Sequence, residues 1–186
     1  MTFDTITIFA ILVAFALGGT LKGATGAGAP IITIPVIAAF YDVRIAVIIM
    51  VIPNLLTNIS QIYQFRKTIL PFFFTFSFAL GGGVGAFVGT ILLINLPIKI
   101  LTLTVAFIVI IYIALKLFVP SWKLAYQSAK KLVFIMGTGG GVLQGSAGLS
   151  APVSITFLNS MKLERNQFIP TISVYFGIMS VFQIPT

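Results

Sequence analysis

Two stretches of small residues, each ending in proline, interrupt long apolar runs and restrict what this chain can fold into. Residues 18–30 read GGTLKGATGAGAP, and residues 139–152 read GGGVLQGSAGLSAP. Seven positions match at a constant spacing of 122 residues: Gly18 with Gly140, Gly19 with Gly141, Leu21 with Leu143, Gly23 with Gly145, Gly26 with Gly148, Ala29 with Ala151 and Pro30 with Pro152. The glycines allow the backbone conformations that a chain break needs. Each proline suits the first turn of a helix, where its missing N–H costs nothing. A helix in hydrocarbon satisfies its backbone groups internally, and a break is tolerated only inside protein or beside a water-filled cavity. Paired breaks at corresponding positions therefore point to a substrate site near the midplane of a transporter-like membrane fold.

Composition supplies the membrane. The chain is 59% hydrophobic and 8% charged, with a mean hydropathy of +1.15, whereas a soluble domain carries about 25% charged residues. The runs Ile45–Tyr63, Ile69–Ile94 and Ile98–Val119 are each long enough to cross about 30 Å of hydrocarbon. Eleven basic residues against three acidic ones give a net charge of +8. They sit in short gaps between apolar runs, so they read as insertion signals and not as a nucleic-acid surface. Cysteine and histidine are absent, which excludes disulfides, thiol catalysis and histidine or thiolate metal sites in this chain. Gly19–Gly26 lacks the Gly-Lys-Ser/Thr of a phosphate loop, and Gly81–Gly85 lacks the strand context of a dinucleotide fingerprint. Gly81, Gly85 and Gly89 read instead as helix packing. Neither an enzyme nor a bound cofactor is expected. Asp4, Asp42 and Glu164 all fall at ends or in loops, so no midplane carboxylate is available for a proton relay.

The fold expected is an all-α, polytopic membrane domain with a two-fold internal repeat and broken, re-entrant helices. Met1-Thr-Phe-Asp4 has no basic n-region, so Thr5–Gly19 reads as a retained membrane segment and not a signal peptide. The first repeat covers residues 1–119: an apolar segment Thr5–Leu21, a break at Lys22–Ala29, a short segment Pro30–Tyr41, a polar corner at Asp42–Arg44, and the three long runs. A basic loop, Pro120–Lys131, follows. Residues 132–186 form a partial second repeat, with Leu132–Gln144, Pro152–Ser160 and Phe168 onward matching the first three segments. Two crossings separate the basic loops at Gln64–Lys67 and Pro120–Lys131, so both lie on one side, the cytoplasmic one. If each broken pair enters and returns, the loop Met161–Gln167 is cytoplasmic too. Three crossings then separate the copies, and the repeat is inverted. The alternative, in which each broken pair makes one span, is a parallel repeat that puts Lys162 and Arg165 outside. In the inverted reading the helices opened by Pro30 and Pro152 start closer to each other than to either membrane face. Nothing in the sequence corresponds to the runs at 69–94 and 98–119 in the second copy, so the expectation is a truncated chain whose two remaining spans come from a continuation or from another chain.

The breaks carry the candidate chemistry. A helix that starts at mid-membrane presents free N–H groups and the positive end of its dipole, which favours an anion. Lys22 sits in the first break, and Gln144 takes its place in the second. A lysine this deep is costly and is a functional candidate by default; the alternative is that it snorkels to an interface. Thr25, Ser146 and Ser150 offer hydroxyls to oxyanion oxygens or, alternatively, cap freed backbone. Asn54, Thr57, Asn58 and Gln61 share one helical face behind Pro53, reading as the lining of a hydrated path or as interhelical hydrogen bonds. Gln183 corresponds to Gln61. The candidate substrate-binding set is Lys22, Gly23, Thr25, Gly26, Pro30, Asn54, Asn58, Gln61, Gln144, Gly145, Ser146, Gly148, Ser150, Pro152 and Gln183.

Gly23-Ala-Thr-Gly26-Ala-Gly-Ala-Pro30 and Gly145-Ser-Ala-Gly148-Leu-Ser-Ala-Pro152 resemble the paired glycine-rich signatures of the TauE/SafE sulfite exporters, also called the toluene-sulfonate uptake permeases. The resemblance extends over the whole chain. It implies ion-coupled secondary transport of sulfite, sulfonates or related sulfur anions across the prokaryotic cytoplasmic membrane, with the coupling ion and the direction open. The partners expected are a small anionic substrate and the lipid bilayer, with a homo-oligomer possible and no nucleic acid. An anion channel and a non-transporting membrane scaffold subunit are the alternatives. Transport against a gradient separates the first reading from a channel.

Overall fold

Helix follows apolar sequence along nearly the whole chain, because a backbone in hydrocarbon has no other partner than itself. The computed structural model describes residues 4–118 and 123–183, the side chains of 115 and 116 excepted. In chain order the helices are α1 (Thr5–Thr25), α2 (Ala29–Phe40), α3 (Val43–Phe65), α4 (Phe72–Asn95), α5 (Ile98–Phe118), α6 (Tyr126–Ala147), α7 (Ala151–Ser160) and α8 (Arg165–Gln183), with a 3-10 turn at Arg66–Thr68 and no strand among the described residues. This is a multi-pass membrane protein. Among the described residues α1, α3 with the turn that follows it, and α4 are long and apolar enough to cross a membrane, while α2 and Ile98–Ala114 are shorter apolar helices.

Both breaks occur, and they share a construction. α1 ends on Gly26 in the left-handed region (φ 85°), with its N–H bonded to the Lys22 carbonyl at 2.7 Å. α6 ends on Gly148 (φ 70°), with its N–H bonded to the Gln144 carbonyl at 2.7 Å. A helix closed by a left-handed glycine satisfies one orphan carbonyl and turns the chain. α2 and α7 then start one residue before Pro30 and Pro152. The first break is shorter than expected: α1 runs four residues past Leu21, which puts Lys22 in its last turn. α6 likewise begins at Tyr126, so Lys130 and Lys131 are helical and not loop. The Lys130 ammonium lies 5.3 Å from the Phe73 ring centre. Residues 119–122 at the start of that expected loop, the end of the Ile98–Val119 run and residues 1–3 and 184–186 lie outside the described residues.

Glycine stripes set the tightest packing. α4 presents Gly81, Gly85 and Gly89 to α6, which presents Gly137, Gly141 and Gly145 in return. A Cβ added at Gly85 would sit 2.2 Å from the Thr138 carbonyl oxygen, and one at Gly141 2.2 Å from that of Gly82. Without a hydrophobic drive between helices in lipid, such close backbone approach is what holds them. α8 completes the group: Tyr175 stacks on Phe78 at 4.0 Å between ring centres and donates to the Gly137 carbonyl at 2.9 Å. A second cluster joins Ile34 and Ile37 of α2, Val47 of α3, Leu101 of α5 and Leu149 of the second break.

The breaks also lean on each other's halves. A Cβ at Gly26 would meet Ile169 of α8 at 2.5 Å, and one at Gly148 would meet Ile34 at 2.2 Å and Val47 of α3 at 3.1 Å. Val47 and Ile169 are themselves 122 residues apart, so the two contacts correspond. The Asp42 corner is fastened from both sides. Asp42 caps α3 by accepting from the Arg44 N–H at 2.7 Å. The Arg44 guanidinium donates to the carbonyls of Leu93, Ile94 and Leu96 at 3.0, 3.1 and 2.8 Å, satisfying the open end of α4.

Candidate functional site

α1 carries Lys22 in its last turn, and α3 carries Asn54 and Asn58 one turn apart on the face turned toward it. The Lys22 Nζ donates to Asn54 Oδ1 and to Asn58 Oδ1, each at 2.8 Å. Asn58 Nδ2 donates to Asn54 Oδ1 at 3.3 Å, which keeps both amide oxygens turned to the lysine. Lys22 is 4% exposed, Asn54 5% and Asn58 0%. Lys22 therefore does not snorkel: it is folded inward, and its partners are neutral. The helix end reinforces the placement, since a cationic side chain at a helix C-terminus faces the negative end of the dipole.

Gln61, two turns past Asn54, ties three helices together. Its Nε2 reaches the Lys22 carbonyl at 3.5 Å, and its Oε1 accepts from Ser173 Oγ of α8 at 2.9 Å. The second half repeats the first of these bonds, with Gln183 Nε2 to the Gln144 carbonyl at 3.5 Å. Arg165, at the start of α8, donates to the Gly23 carbonyl at 3.2 Å. Beside them lies a cavity of about 470 Å³ lined by Lys22, Gly23, Asn54, Thr57, Gln61 and Arg165, among others. A second cavity, of about 550 Å³, lies across the break loop, with Thr25, Tyr112, Asn159 and Arg165 on its wall. Among the described residues no carboxylate lines either one. A site with two cationic side chains, several amides and hydroxyls, and no acid can hold a small anion and disfavours a cation.

The remaining candidates fall elsewhere. Gly26 packs on Ile169. Thr25 spends its hydroxyl on its own break, donating to the Leu21 and Ala27 carbonyls at 2.8 and 2.7 Å. Pro30, Gln144, Gly148 and Ser150 meet in a crevice of about 10 Å³, which is at the lower limit for one water. So the two break loops do come together, but packed against each other and not around a cavity. Gly145 lies in the stripe against Ala86 of α4. Ser146 bonds back to the Val142 carbonyl at 2.7 Å, and Pro152 is buried. The polar atoms of this interior are accounted for: among the described residues no buried side-chain nitrogen or oxygen lacks a partner. Arg165 and Ser173 join the site without having been singled out in the sequence. Helical phase is the one signal that bears on them, since Arg165, Ile169 and Ser173 recur every fourth residue on one face of α8.

No curated protein and no solved structure matches this chain. The family model for the sulfite exporter TauE/SafE matches residues 10–186. With the broken helices, the glycine-closed helix ends and the multi-pass architecture already described, that match places the chain in the TauE/SafE sulfite exporter family of membrane transporters.

Proposed function

We propose that the chain moves a small anion, sulfite or an organosulfonate or a related sulfur compound, as an ion-coupled secondary transporter of the prokaryotic cytoplasmic membrane, and that Lys22 is the residue that holds the anion. The observation that carries this reading is the buried Lys22 amine bound by two neutral amide oxygens at 2.8 Å each. Burying a charge at membrane depth costs about 2.5–3.5 kcal/mol even on scales that count snorkelling. A structural lysine would repay that cost with a carboxylate; here amides hold it in place and leave its charge for a ligand. Asn54, Asn58 and Gln61 are positioned to orient it, and Arg165 stands at the rim of both cavities. The matching bonds from Gln61 and Gln183, and the reciprocal contacts of Gly26 and Gly148, support two corresponding halves that meet at this level.

The test is flux in proteoliposomes against sulfite, sulfate, thiosulfate, sulfonates and small carboxylates. Accumulation of a sulfur oxyanion against its gradient, driven by a proton or sodium gradient, is the expected result. Equilibration without accumulation would identify a channel, and no flux of any anion would identify a scaffold.

A further inference from the structure

We propose that Lys22 is the proton-binding site of the transport cycle: its amine takes up one proton with each anion and gives it up when the anion leaves, so the coupling ion is a proton moving in the anion's direction. This rests on the transport reading above and adds the coupling ion to it. The amine's partners among the described residues are Asn54 Oδ1 and Asn58 Oδ1, each at 2.8 Å. A protonated amine has three N–H donors and no acceptor. The amides take two, and the third is left for an anion in the adjoining cavity. A neutral amine has two N–H donors, and the same two amide oxygens accept both. Loss of the proton therefore leaves neither buried oxygen without its partner. A carboxylate in place of either amide would hold the proton by its charge; here the only counter-charge is the ligand.

Among the described residues no other group lining the cavity can do this. The chain has no histidine and no cysteine. Asp42 is committed to the start of α3, and Asp4 and Glu164 precede α1 and α8. α2 and α3 present only neutral side chains to the cavity, α1 presents Lys22, and α8 presents Arg165. Arg165 donates to the Gly23 carbonyl at 3.2 Å and, as a guanidinium, keeps its charge throughout the physiological range. It attracts the anion in every state and cannot carry the proton. A charge at membrane depth is costly. At Lys22 a bound anion offsets it, so proton and anion favour each other's binding. The cycle balances. Water on the entry side gives a proton to the Lys22 –NH2, forming –NH3+, which seats the anion. On the far side the anion departs, the proton passes to water, and –NH2 returns with its bonds to Asn54 and Asn58 kept. Each turnover moves the anion's charge plus one.

The probes are radiolabelled methanesulfonate and thiosulfate, which stay ionised around neutral pH and do not cross lipid as neutral acids. Proteoliposomes carry the full chain, with the membrane potential held at zero by potassium and valinomycin. One proton per anion predicts accumulation on the alkaline side of about tenfold per pH unit, with acidification of that side read by an enclosed dye. Lys22→Arg, which stays charged, should keep part of the anion exchange and lose both the accumulation and the proton signal. If the arginine variant does not insert, Lys22→Cys serves in its place, since the chain has no native cysteine. Its modification by an aminoethyl methanethiosulfonate restores a titratable amine and should restore exchange and accumulation together. The trimethylammonium reagent installs a fixed charge and should restore exchange alone. Exchange by the parent without accumulation under a proton gradient would overturn the proposal and leave the transport reading standing. So would accumulation driven by sodium alone, or accumulation by a fixed-charge variant equal to the parent's. Absence of any exchange by the parent would overturn the transport reading itself, and the proposal with it.

Discussion

Gly85→Ala and Gly19→Ala are the same chemical change at two glycines of transmembrane helices, and the structure assigns them opposite signs. At Gly85 the new methyl carbon would lie 2.2 Å from the Thr138 carbonyl oxygen, 2.8 Å from the Val142 nitrogen and 3.0 Å from the Gly141 Cα. Those atoms are backbone, so no rotamer change relieves them; α4 and α6 must move apart, loosening the other glycine contacts along the stripe. Overpacking of this kind costs about 1–3 kcal/mol. The backbone atoms place this case at the upper end, and the better helix propensity of alanine returns about 1 kcal/mol, leaving a net loss of about 2 kcal/mol. At Gly19 nothing lies within 4 Å of the new methyl, so only the propensity gain of up to about 1 kcal/mol remains. Unfolding of the two variants and the parent by titration with a denaturing detergent, followed by circular dichroism, measures both differences. A Gly85→Ala variant as stable as the Gly19→Ala one would refute the reasoning, because it would mean that α4 and α6 are not in backbone contact.

Other consequences follow from the same geometry. Asn58→Leu strips a buried partner from Lys22 and should cost about 2–3 kcal/mol, while the same change in a Lys22→Met background should cost much less; a double-mutant cycle on thermal unfolding measures the coupling, and additivity would dissolve the pair. Gly148→Ala forces a side chain at φ 70° against Ile34 and Val47 and should destabilise by about 2 kcal/mol or more, read as loss of folded protein in detergent; normal stability would mean that the second break is not closed by a left-handed residue. Single cysteines in Gln64–Lys67 and Met161–Gln167 should be labelled from the cytoplasmic side only; labelling of the second loop from outside would establish the parallel arrangement.

Much of the architecture is legible in the residues because the membrane leaves few options. Long apolar runs must be helices, and glycine followed by proline at a fixed spacing must break them. The boundaries were the weaker part. Lys22-Gly-Ala-Thr25 contains no residue that refuses a helix, so α1 continues to Gly26, whose left-handed conformation is what ends it. The charges of Lys130 and Lys131 point to a loop, yet α6 includes both, because a helix end at an interface accommodates lysine readily. At the site, Lys22 and the amide face of α3 were visible separately. Their meeting was not, since it depends on how α1 crosses α3. Arg165 and Ser173 match no polar residue 122 positions earlier, so the internal spacing could not flag them. The half-helix starts at Pro30 and Pro152 were expected to frame the anion. Pro30 lines a crevice of about 10 Å³ with Gln144, Gly148 and Ser150 of the second break, and the larger cavity beside the end of α1 is lined by Lys22 and Arg165.

The central claim is that Lys22 supplies the charge that holds the anion, and the most direct test of it is sulfite flux into proteoliposomes carrying the parent, Lys22→Met or Lys22→Arg. The account predicts that Lys22→Met, folded and inserted as the parent is, loses most of the flux, because one charge-assisted contact of about 1.5–3 kcal/mol is worth roughly tenfold or more, and that Lys22→Arg retains part of it. Flux of Lys22→Met equal to the parent's, at equal protein in the vesicles, would contradict it and leave Lys22 as a strut between α1 and α3.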